Sequence, residues 1–83
     1  MKNRIAVISL IVTDSAAVEP LNALLHSYAD HIIGRMGLPV RERGLRLISV
    51  ALDAPQDAIS ALAGKLGKLS GVTSKTVYVP EDL

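Results

Sequence analysis

His26 and His31, with Asp30 between them, are the only two histidines in the chain. Metal-binding pairs on a helix sit three or four residues apart, where their side chains share a face. An interval of five takes these two off one another's face. They read as a surface histidine and a helix-end histidine, and a metal would need further ligands from a second subunit. There is no Cys, which removes thiolate metal sites, iron–sulfur clusters, disulfide scaffolds and Cys nucleophiles. Ser9, Ser49 and Ser60 lack the glycine elbow of an activated serine, and neither histidine has an evident acid partner. Paired carboxylates occur only in the tail, at Glu81 and Asp82. No catalytic residue, metal or cofactor is assigned, and the chain does not read as an enzyme.

Two glycine pairs share one spacing. Gly34-Arg35-Met36-Gly37 resembles the loop with which KH domains clamp RNA, but there the loop leads straight into a helix. Here Leu38-Pro39-Val40 and an Arg41-Glu42-Arg43-Gly44 turn follow, which forbids that helix. Gly64-Lys65-Leu66-Gly67 lies inside a helical stretch, and the Gly-Lys-Ser/Thr of a phosphate loop is missing. Arg35, Arg41, Arg43 and Arg46 make a local basic cluster interrupted by Glu42. It reads first as a solvated turn whose arginine stems cover apolar surface, and second as a phosphate site.

The frame around these residues is small and aliphatic. The 83 residues allow one domain, 1–83. Of them 49% are apolar and 20% charged, a globular balance, and the net charge of +1 is low for a phosphate-neutralising DNA binder. Aromatics make up 2%, Tyr28 and Tyr78 alone, so base-stacking platforms and aromatic cages are excluded. Met1-Lys2-Asn3-Arg4 before the apolar run Ile5–Val12 looks superficially like a signal peptide. The run is short for that role and Thr13-Asp14-Ser15 follows at once, so a cytoplasmic protein is expected. No apolar stretch approaches the ~20 residues that span a bilayer.

Residues 4–13 are rich in β-branched side chains and predict a strand. Its faces, Ala6-Ile8-Leu10-Val12 and Ile5-Val7-Ser9-Ile11, are both apolar, so it is expected to be central and covered on both sides. Asp14, Ser15 and Pro20 announce a helix, with Val18, Leu21, Leu25, Tyr28 and Ile32 on one face and an end near Asp30 or His31. Residues 32–40, with two glycines and a proline, predict a strand that is short, bulged or at an edge. Residues 45–52 predict a second covered strand in which Arg46 is the only charge. Pro55 is placed at the first position of a second helix with the stripe Ile59, Leu62, Leu66 and Leu69. Gly64 and Gly67 there imply a close backbone approach or a fraying end. Gly71 ends that helix, and Val72–Val79 forms the last strand.

This order, βαββαβ, is the α+β ferredoxin-like sandwich: four antiparallel strands, strands one and three central, with two helices on one face. The other face would carry a row of aliphatic side chains. Such a patch rarely stays exposed on a soluble monomer, so a homo-oligomer is expected, joined through sheet edges or open faces.

Ile32-Ile33-Gly34-Arg35-Met36-Gly37-Leu38-Pro39, Arg41-Glu42-Arg43-Gly44-Leu45 and Leu62-Ala63-Gly64-Lys65-Leu66-Gly67-Lys68-Leu69 with Gly71-Val72 carry a resemblance. So do the Arg4-Ile5-Ala6-Val7 strand and the helix around Asn22, Leu25 and His26. Together they resemble the small ACT-like family of iron-only hydrogenase system regulators over nearly the whole chain. The resemblance implies an ACT-type fold that assembles as a homodimer or homotetramer. It also implies a regulatory role that senses a small effector such as an amino acid. Binding is implied near the first strand-to-helix loop, at Thr13, Asp14 and Ser15, with backbone groups of Gly34, Arg35, Met36, Gly37, Gly64 and Gly67. The chain carries no DNA-reading helix-turn-helix or basic arm, so no direct nucleic-acid binding is expected, and a transcriptional role would run through a partner. A scaffolding subunit with no ligand is the alternative reading.

Overall fold

Pairing of the most apolar segments decides the architecture. The computed structural model describes residues 2–82. Strand β1 (Asn3–Val12) leads through a single 3-10 turn (Ser15–Ala17) into helix α1 (Val18–Ser27). A second 3-10 turn (Ala29–His31) opens β2 (Ile32–Val40), and a third (Arg41–Arg43) separates it from β3 (Leu45–Pro55). Helix α2 (Gln56–Gly67) and β4 (Val72–Tyr78) complete the order. The sheet runs β2-β3-β1-β4 with every neighbouring pair antiparallel. This is the ferredoxin-like, ACT-like arrangement, with β1 and β3 at its centre.

Local signals account for most boundaries. The Asp14 carboxylate accepts the Ala16 amide at 3.0 Å and starts the first helical turn. Gly44, at φ +66°, closes the turn between β2 and β3 in the left-handed region that glycine enters freely. Two boundaries move. Strand β3 runs to Pro55 because β1 continues to offer partners, pairing Ile5 with Asp53, Arg4 with Ala54 and Asn3 with Pro55. Pro55 therefore stands just before α2, one residue earlier than expected. Strand β2 is at an edge and bulged between Ile32 and Gly34, as its glycines suggest, but it is not short.

The core is entirely aliphatic. Ala6, Ile8, Leu10 and Val12 of β1 and Ile48, Val50, Leu52 and Ala54 of β3 bury one sheet face. Leu21 and Leu25 of α1 and Ile59, Leu62 and Leu66 of α2 cover it. The two tyrosines stand at the rim, partly buried, and each is held by a cation. Lys65 Nζ donates to the Tyr28 hydroxyl at 3.1 Å, and the Arg4 guanidinium lies 4.6 Å from the Tyr78 ring centre. The expectation that both central strands are covered on both faces is corrected: both helices pack on one side, and the face of Ile5, Val7, Ser9 and Ile11 has no layer over it. No helix among the described residues is long and apolar enough to cross a membrane.

Candidate functional site

The first feature is a basic groove beside α1. Antiparallel pairing sets Val12 opposite Arg46, and Arg46 opposite Pro39, on the helix side of the sheet. There, beyond the start of α1, an open cavity of about 340 Å³ is lined by Val12, Ser15, Pro39, Arg41, Gly44, Leu45 and Arg46. A smaller cavity of about 110 Å³ shares Pro39 and Arg46 and adds Val18, Asn22, Arg35 and Gly37 among its walls. Arg35 Nη2 donates to Asn22 Oδ1 at 3.0 Å, a bridge from β2 to α1. Past that bridge a third cavity of about 310 Å³ is lined by Leu25, His26, Ala29 and Ile32 together with Asn22 and Arg35. Arg35, Arg41 and Arg46 contribute to these walls, and no Asp or Glu does. The groove can therefore accept negative charge and hydrogen-bond acceptors.

The residues singled out in the sequence divide among several places. Ser15 lines the largest of the three cavities, while Arg35 and Gly37 line its neighbour. Thr13 and Asp14 turn away to a latch: the Thr13 amide and hydroxyl both donate to the Gly71 carbonyl, at 2.8 and 3.2 Å. The Gly34–Gly37 tetrapeptide is split by the pleat. Gly34 and Met36 pair with Ala51 and Ser49 on the uncovered face, while Arg35 and Gly37 pair with Val50 and Ile48 on the helix side. Gly64 and Gly67 lie on α2. A Cβ on Gly64 would meet nothing, and one on Gly67 would only touch Ser74 of β4, at the edge opposite β2. The structure does not bring them to Ser15 within one chain. His26 and His31 belong to no cluster of three metal-ligating side chains among the described residues.

Sequence reading passes over Asn22 and Pro39 as groove residues and ranks a phosphate site at Arg41 and Arg46 second to turn solvation. Arg46 did leave a signal, since it is the lone charge in an otherwise apolar strand.

The second feature is the uncovered sheet face. Among the described residues, the exposed large apolar ones are Ile5, Ile11, Ile33, Met36, Leu38, Leu47, Val77 and Val79. Register puts Leu38, Leu47 and Ile11 in one row across β2, β3 and β1, and Val7 beside Val77 in another. Val79 joins Ile5 through a hydrogen bond from its amide to the Ile5 carbonyl at 2.9 Å. Met36 is 58% exposed and Val77 66%, so the apolar surface reaches both edges of the sheet.

Residues 4–76, which hold the groove and most of the uncovered face, match the model of the TM1266-like family, described as "Iron-only hydrogenase system regulator, putative". The chain belongs to this family. The TM1266-like chain is similar in structure to the uncharacterized protein TM1266 from Thermotoga maritima, at 38% identity and a TM-score of 0.91. That likeness covers 95% of this chain and 100% of the other. No curated protein matches the chain. The family match begins at Arg4 in β1 and ends at Thr76 in β4, so it contains the groove, the latch and the uncovered face up to Thr76, with Val77 and Val79 just beyond it.

Proposed function

We propose that this chain is a ligand-sensing regulator of the iron-only hydrogenase system that works as a cytoplasmic homo-oligomer and has no catalysis of its own. The observation that carries the reading is the gathering of Ile5, Ile11, Met36, Leu38, Leu47 and Val77, all large, apolar and exposed, on one sheet face. Large apolar side chains gathered on one exposed face mark an interaction site, and a second copy of the chain is the partner always present. The subunits form a homodimer or homotetramer, and a small effector such as an amino acid binds beside Ser15, Arg35 and Gly37. Gly64 and Gly67 would reach such a site only from a neighbouring subunit. A ligand that prefers one assembled state stabilises that state, which is the regulatory output. Any effect on transcription passes through a partner that reads DNA.

Light scattering at micromolar concentration, paired with thermal shift against a panel of amino acids, tests this. A mass at a multiple of 8.8 kDa and a dose-dependent rise in melting temperature support it. A clean monomer with no thermal response overturns it. A scaffolding subunit without a ligand is the second reading, favoured by the same apolar face, which needs no cavity. It predicts the oligomer without the thermal response.

A further inference from the structure

We propose that the groove between the start of α1 and the β2–β3 hairpin binds the oxyanion group, phosphate or carboxylate, of a small molecule, with Arg46 and Arg41 as its principal holders. This rests on reading the chain as a ligand sensor and names the chemistry that its groove recognises. Residues 35–46 carry four arginines and one glutamate, and Glu42 does not line the cavity. Arg41 and Arg46 share the walls of the 340 Å³ cavity with Ser15, a residue whose hydroxyl and amide are further donors. That volume lies within the range of small-molecule sites. Among the described residues the only ion pair joins Arg4 to Glu81, so no carboxylate neutralises either guanidinium.

Arg46 stands out for a second reason. It occupies the helix-side face of a central strand, in the same alternation as Ile48, Val50 and Leu52, yet lies beyond the helical cover and exposed. An apolar residue would serve the strand as well. A planar guanidinium in its place supplies a fork matched to two oxygens of one anion. Arg35, tied to Asn22, closes the adjoining cavity. Val18, the first residue of α1, lines that cavity too and sets the positive end of the helix dipole beside it.

The test is an amide chemical-shift titration of the full chain with sodium phosphate and, separately, sodium glutarate, in about 0.15 M sodium chloride to screen diffuse attraction. The expected result is a saturable response at Ser15, Gly44, Leu45 and Arg46. Arg46→Ala should weaken it at least about tenfold, and Arg46→Lys should weaken it less, keeping charge without the fork. Arg43→Ala, outside the cavity walls, should leave it within about twofold. A stronger response to phosphate identifies a phosphate ester as the ligand class, and a stronger response to glutarate a carboxylate. Non-saturating shifts spread over every basic residue, or an unchanged response in a folded Arg46→Ala chain, overturn the proposal. Light scattering separates the two levels. An oligomer with no saturable anion response removes the groove assignment alone. A monomer that still binds phosphate keeps the groove and removes the oligomeric reading.

Discussion

Gly71 and Asp14 are packed so closely that no side chain fits between them: a Cβ on Gly71 would lie 2.5 Å from the Asp14 Cβ and 3.1 Å from its amide nitrogen. Gly71 also holds φ at +79°. Its carbonyl takes both Thr13 donors, so the turn that opens β4 is clamped to the loop that delivers Ser15 to the groove.

Gly71→Ala combines left-handed strain with a backbone collision and should cost about 2–5 kcal/mol of unfolding free energy. Gly44→Ala shares the strain but meets nothing within 4 Å, so it should cost about 1–3 kcal/mol. Urea unfolding of the two variants checks the order. Equal losses would show that the Asp14 contact yields freely.

Ile11 and Leu47 face one another across β1 and β3 on the uncovered face, at 44% and 42% exposure. Replacing both with Lys should leave the fold intact, since neither enters the core, and reduce the proposed homo-oligomer to a single chain of 8.8 kDa. Ala61→Lys, on the outer surface of α2, should leave the mass unchanged. Light scattering with circular dichroism reads both outcomes.

Leu25 and Leu62 are wholly buried between helices and sheet. Truncation of either to Ala should cost about 2–5 kcal/mol by cavity formation. Val77→Ala, on the uncovered face, should cost under about 1 kcal/mol in a monomeric background. Chemical denaturation measures all three.

Arg4 gathers several contacts at the start of β1. It stacks on Tyr78, donates to the Val79 carbonyl at 3.2 Å and pairs with Glu81 at 3.5 Å. Arg4→Ala should destabilise by about 1–2 kcal/mol through lost stacking and stem packing. Glu81 is 65% exposed, so Glu81→Gln should stay within about 0.5 kcal/mol. If the two variants lose equal amounts, the ion pair and not the stacking dominates.

Strand order and core composition were legible because two short, near-continuous apolar stretches, each flanked by helix signals, leave few other topologies. The faces of β1 were readable residue by residue. Which face is covered was not, because Ile5, Val7 and Ile11 are as apolar as Ile8 and Leu10, and cover depends on where two helices land. Gly71 announced a helix end, but its clamp joins Thr13 to a residue 58 positions away, a contact no local pattern encodes. The groove was half visible. Ser15 and Arg35 were named from the resemblance, while Arg41 and Arg46 were read first as turn solvation, because their convergence arises from hairpin register.

The alternation within β2 has a mechanical meaning. Arg35 and Gly37 look into the groove while Gly34 and Met36, their immediate neighbours, belong to the opposite surface. A guest pressing on the strand from one side displaces the other side by the same peptide planes, one residue away. In the proposed sensor, signal and docking surface would be the obverse and reverse of a single ribbon, with no relay through the core required to connect them.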